Sequence, residues 1–214
     1  MIINYLDTLP PLLLLVFATK RRIWATREQF IGYYLLVQVV LNGVANFLNE
    51  LDWHNLYIYH LNILFSFALI TLYFWHLFSN QLLRQFLVVG SIGFAAFYVF
   101  NITFLEKPDS AFSSNSLGLG SLFIVLYCLL YFTRLLLKPA TENMFRTRTF
   151  WIAQALFMYY VSNFFLFISY RRLTELRPQD IRFVWQIHNF IFLMMCAYLL
   201  IGFLCKSSPL KSES

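Results

Sequence analysis

Phe30 to Asn49 reads FIGYYLLVQVVLNGVANFLN, and Leu56 to Phe78 reads LYIYHLNILFSFALITLYFWHLF. The polar Glu50-Leu51-Asp52 lies between them. A helix needs ~20 mostly apolar residues to cross a hydrocarbon core of about 30 Å, and each run meets that length. Neither run alternates in polarity, which excludes the strands of a membrane β-barrel. Working outward with the same ruler marks seven segments: Ile2 to Thr19, Phe30 to Asn49, Leu56 to Phe78, Leu82 to Leu105, Ser116 to Leu137, Thr149 to Tyr170 and Phe183 to Cys205. Between them stand Lys20-Arg21-Arg22, Ser79-Asn80-Gln81, Glu106-Lys107-Pro108-Asp109, Lys138-Pro139-Ala140 and the loop from Arg171 to Arg182. The expected fold is an all-α polytopic membrane domain of seven helices over residues 1–205, with a short cytoplasmic tail over 206–214. The first segment is the weakest, because Pro10-Pro11 bends it or moves its start inward.

Composition agrees. Of 214 residues, 60% are hydrophobic and 12% charged, where a soluble domain is roughly one-quarter charged. Aromatics reach 20%, with 25 Phe and 13 Tyr, and Tyr favours the membrane interface. The net charge of +6 does not imply nucleic acid, since the basic residues fall in short loops between apolar runs. Residues 1–8 hold Asp7 and no basic residue, so no cleavable signal is expected and the first segment is kept. Cys128, Cys196 and Cys205 fit neither a metal spacing nor a disulfide framework; they read as small apolar packing residues.

Lys and Arg set the orientation. Eleven lie in the first, third and fifth loops and the tail, against five in the others (Lys107, Arg171, Arg172, Arg177 and Arg182). The richer side is cytoplasmic, which puts the N-terminus outside and the C-terminus inside, in a bacterial inner membrane. The arginines between segments six and seven are many for an outer loop. They read as contacts to lipid phosphates or as an anion-attracting rim.

Segments three and seven open alike, with Tyr59-His60-Leu61-Asn62 and Ile187-His188-Asn189-Phe190. Each follows a segment with an inner Gln (Gln38, Gln154) and an outer Asn-Phe pair (Asn46-Phe47, Asn163-Phe164). This suggests two parallel three-helix repeats joined by a linker helix, an arrangement known in transporters such as the SWEET sugar carriers. Arg177-Pro178-Gln179 lies in a loop, so it does not supply the Pro-Gln signature of that family.

Polar side chains inside lipid are costly and face the bundle interior. Gln38, Asn42, Asn46 and Asn49 fall within about 80° of one another on a helix. They read either as interhelical packing bonds or as the wall of a wet cavity. Asn46, Asn49, His60, Asn62, Asn163, Gln186, His188 and Asn189 share the outer third. With Asn42 they form the candidate ligand site, walled by Tyr57, Tyr59, Trp185 and Phe residues, below Glu50, Asp52, Trp53 and His54. Such a mixture suits a small neutral polar or amphiphilic ligand. His60 and Asn62 are ~200° apart, however, so one pocket cannot receive both.

Other chemistries lack their residues. Alkaline-ceramidase-type hydrolases use several histidines with an acid, yet no two histidines here stand at i, i+4 on one helix. No Lys within segment seven offers a retinal attachment point. There is no Gly-rich phosphate loop and no G-x-S-x-G elbow. No cofactor, metal or catalytic set is expected.

Tyr57-Ile58-Tyr59-His60 and Trp185-Gln186-Ile187-His188-Asn189 resemble the corresponding stretches of a group of small bacterial seven-helix membrane proteins without established activity, some associated with sensor kinases. The resemblance implies a sensory or accessory role and carries no catalytic residues. Two expectations follow. One is a sensing module that binds a small ligand at its outer face and signals through a protein partner at the cytoplasmic face. The other is a small-solute carrier of three-plus-one-plus-three design. A lipid-modifying enzyme has less support.

Overall fold

The computed structural model describes residues 7–20, 23–109, 111–137, 144–170 and 181–205. Seven α-helices account for nearly all of them: α1 (Leu9–Lys20), α2 (Gln29–Glu50), α3 (Leu56–Leu77), α4 (Gln81–Phe100), α5 (Ser114–Leu137), α6 (Arg148–Ile168) and α7 (Ile181–Leu204). One-turn 3-10 helices, Ile23–Ala25 and Met144–Arg146, precede α2 and α6. Six of the seven, α2 to α7, are long and apolar enough to cross a membrane. The tail from Lys206 and the arginines from Arg171 to Arg182 lie outside what is described of side chains, as do Arg21, Arg22 and Lys138.

The first helix departs from expectation. It starts at Leu9, inside the Ile2-to-Thr19 segment, and has 12 residues, about 18 Å of rise. That is short of a hydrocarbon core. Pro10 and Pro11 fill its first turn, where a missing N–H costs nothing and the fixed φ suits a helix start.

Consecutive helices pack side by side, and α1 also meets α7 while α3 also meets α5. The result is a closed ring in the order α1, α2, α3, α5, α6, α7. Helix α4 stands outside it, against α3 and α5. It docks by one stripe, Leu87, Gly90, Phe94, Tyr98 and Asn101, and leaves Val88, Val89, Ile92 and Val99 exposed. Spacings of three and four residues make that stripe one helix face. Phe94 stacks on Phe67 with centroids 4.0 Å apart. The fit needs Gly120 on α5, where a Cβ would stand 3.0 Å from the Phe94 ring.

The helix ends are closed by side chains. Asn80 caps α4 through its Oδ1, which accepts from Leu82 N at 2.8 Å. Helix α4 runs on into a π-turn over Asn101–Leu105, which folds Glu106 back over the start of α5. Glu106 is buried, although the sequence places it in polar punctuation. Its Oε2 accepts from Asn115 N at 3.0 Å and Asn101 Nδ2 at 2.8 Å, and its Oε1 accepts from Ser114 Oγ. The free N–H groups and the positive dipole of the α5 N-terminus hold this carboxylate. Helix α2 closes with Asp52 at φ 55°. Trp53 N donates to Leu48 O and Asp52 N to Asn49 O, the Schellman pattern.

Candidate functional site

The stripe on α2 meets α3. Gln38 Nε2 donates to Asn62 Oδ1 and Ser66 Oγ, each at 2.8 Å. Ser66 Oγ donates in turn to Asn62 Oδ1 at 2.9 Å, and Asn62 Nδ2 donates to Asn42 Oδ1 at 2.8 Å. One turn outward, Asn46 Nδ2 donates to Asp7 Oδ1 at 3.0 Å and to Thr8 Oγ1 at 3.2 Å. Asn42 Nδ2 reaches the Asp7 carbonyl at 3.3 Å. One residue per turn of α2 thus ties three elements together. Bonds of this kind contribute ~0.6–2 kcal/mol each in lipid.

The network forms one wall of a cavity inside the ring, with about 70 Å³ in which the centre of a water molecule can move. That is room for several waters. The facing wall is His188 and Asn189 of α7 with Gly120, Ser121 and Ile124 of α5. Behind it, His188 Nδ1 lies 3.0 Å from Asn163 Oδ1. With the amide oxygen facing the ring, Nδ1 donates to it, and in the neutral imidazole Nε2 is then the acceptor.

Aromatic rings roof the cavity. Tyr59, Phe112, Phe167 and Trp185 line it, and Phe112 lies 5.7, 5.4 and 5.3 Å from Tyr59, Phe167 and Trp185 by centroid. The floor is Tyr34, Tyr159, Tyr160 and Phe192, with Tyr34 OH 3.7 Å from Met195 Sδ. Beyond the floor a second polar group closes the other end. Arg27 donates to Thr149 Oγ1 at 3.3 Å, and its Nε lies 3.8 Å from a Glu28 carboxylate that is 0% exposed. Neither Glu28 oxygen accepts a hydrogen bond from the described residues.

Of the residues expected to form the site, Asn42, Asn62, His188 and Asn189 line the cavity. Asn46 and Asn163 support it by the bonds above. His60 does not join them. It is buried on the far side of α3, where Nε2 sits 3.1 Å from Ala111 O, as the angular offset from Asn62 requires. Asn49 and Gln186 are exposed. Tyr57, Trp53, Asp52 and His54 are exposed as well and do not line the cavity.

Sequence reasoning missed Asp7, the one carboxylate among the described residues of the lining. It precedes α1, and burial pushes its carboxyl up from the ordinary value, against the lowering effect of its bonds from Asn46 and Thr8. The signal was an acid inside an otherwise apolar N-terminal run. Ser66 was legible only as a neighbour of Asn62. Among the described residues no three His, Cys, Asp or Glu are grouped to hold a metal ion.

No family model matches the chain, and neither a curated protein nor a solved structure matches it.

Proposed function

We propose that this is an integral membrane protein that takes a small polar solute into the ring cavity, and that the ring works as a three-plus-one-plus-three carrier. One observation carries the reading: the cavity lies between the two sets of three helices and takes its lining from both. Exchange of the sets matches the α1–α7 contact with the α3–α5 contact. It also matches the 3-10 turn before α2 with that before α6. These features support the parallel repeat. The aromatic end of the cavity, the tyrosine floor and the Arg27–Glu28 group beyond it fit a carrier with a constriction at each end. The Lys and Arg count supports a cytoplasmic Glu28 end; on this reading the protein sits in a bacterial inner membrane, with α1 as a shortened seventh crossing.

The closed floor also favours a second reading, a sensory module whose ligand enters and leaves at one end and whose partner reads the cytoplasmic face.

Native mass spectrometry of the detergent-purified protein beside Asn62→Leu and His188→Ala tests the shared part. A small solute retained by the native protein and lost from both variants is the expected result. Retention of ordinary lipid alone, the same in all three, refutes the cavity reading. Flux of the retained solute into proteoliposomes then separates carrier from sensor.

A further inference from the structure

Granting that the cavity binds a solute, its chemistry narrows the solute's charge. Among the described residues the lining holds Asp7 and no Lys or Arg. The one ion pair among the described residues, Arg27 with Glu28, lies past the floor. Asp7 Oδ1 accepts from Asn46 and Thr8, and the carboxyl also takes its own backbone N–H, while no side chain among the described residues donates to Oδ2. The amide ladder of Gln38, Asn42, Asn62 and Ser66 is largely closed on itself. The groups still open to a guest therefore include Asp7 Oδ2, His188 Nε2 (an acceptor in the neutral ring with Nδ1 protonated) and the Ser121 hydroxyl, which can donate or accept. The rest of the enclosure is largely rings, with Tyr59, Phe112, Phe167 and Trp185 at the same end as Asp7.

An anion meets like charge here. A neutral solute leaves the carboxylate buried without a counter-charge, which is costly unless the carboxyl takes up a proton. A cation gains the carboxylate and the negative faces of the rings together, and desolvation strengthens the ring contribution. We infer that the cavity is a site for a small organic cation of the amine or methylated-ammonium class, anchored by Asp7 and enclosed by the Tyr59–Phe112–Phe167–Trp185 roof.

The test is calorimetric titration of the full chain in detergent with methylammonium and with choline. The uncharged isostere of choline, 3,3-dimethylbutan-1-ol, runs beside them. Asp7→Asn keeps the side-chain shape and removes the charge. Trp185→Leu removes one ring and serves as a second variant should the first fail to fold. At least one cation is expected to bind, choline outdoing its isostere by about tenfold or more if it is the one admitted. Asp7→Asn abolishes the preference and Trp185→Leu reduces it. An isostere that binds as well as choline, with Asp7→Asn unchanged, overturns the cation assignment and leaves the cavity reading standing. Absence of binding by either cation also overturns the assignment; the cavity reading then rests on the retained solute and its loss from Asn62→Leu and His188→Ala.

Discussion

His60 and Asn62, two residues apart on α3, are bonded on opposite sides of it: Nε2 of the first lies 3.1 Å from Ala111 O, and Nδ2 of the second donates to Asn42 Oδ1 at 2.8 Å. Substitution should separate the two roles. Asn62→Leu removes the hub of the α2–α3 network and leaves Gln38 short of a partner. A loss of about 1–3 kcal/mol in unfolding titrations is expected, together with loss of solute retention. His60→Ala should lower stability by a similar amount through the cavity it leaves, with retention intact. Equal loss of retention in both variants would contradict the geometry.

The raised Asp7 carboxyl gives a direction with pH. Burial makes the folded state hold this proton more tightly than the unfolded chain. The stability it contributes is therefore complete below the unfolded value and is lost as pH rises through the folded one. Binding of a cation runs the other way, because it needs the carboxylate. Choline affinity should fall as pH drops through the raised Asp7 value, and Asp7→Asn should flatten that part of the profile. The other titratable groups in the lining are His188, Tyr34, Tyr59, Tyr159 and Tyr160. A slope that survives in Asp7→Asn would assign the dependence to one of these.

Glu28 is a buried carboxylate without a hydrogen bond from the described residues. A neutral amide of the same shape removes an incompletely compensated charge. Glu28→Gln should hold or raise the melting temperature. Arg27→Ala, which strands the acid, should cost about 1–3 kcal/mol. A lower melting temperature for Glu28→Gln would mean that the charge is needed in the folded protein.

Glu106 should behave in the opposite sense. Its oxygens satisfy Asn101, Ser114 and the Asn115 N–H. Glu106→Ala leaves these donors unmet and is expected to cost about 1–3 kcal/mol, with faster hydrogen exchange at the start of α5. Unchanged exchange there would refute the capping role.

At Asp52 a non-glycine residue holds the left-handed conformation. Asp52→Gly relieves that strain at some cost in unfolded-state entropy, so a net gain of about 0.5–1 kcal/mol is expected. Asp52→Ala should show no such gain in the same unfolding titration.

The helices were legible because lipid imposes one length and one composition on every crossing: α3 begins at Leu56 as expected and ends at Leu77, one residue early. The α2 stripe was legible because four amides at helical spacing leave few places to point. What escaped depends on tertiary placement. Glu106 reads as a loop acid until a π-turn lays it over a helix end. Asp7 reads as a flank until the chain before α1 folds against Asn42 and Asn46. Asn49 shares the face of Gln38 but occupies the last turn of α2, where periodicity cannot tell solvent from core. Tyr34, Tyr159 and Tyr160 pass in a Phe- and Tyr-rich sequence as ordinary packing.

Helix α4 adds no described residue to the cavity lining, yet on the proposed three-plus-one-plus-three reading it governs how the two sets of helices stand. A chain that has run up, down and up through three neighbouring helices finishes at the opposite end from its start. A second set joined directly would be built upside down relative to the first. One further traverse along the outside, 20 residues from Gln81 to Phe100 and about 30 Å of rise, carries the chain back, so that α5 sets off in the same sense as α1. On that reading, the parity of the single outlying helix is what would let the two sets of three face each other in like orientation across the ring.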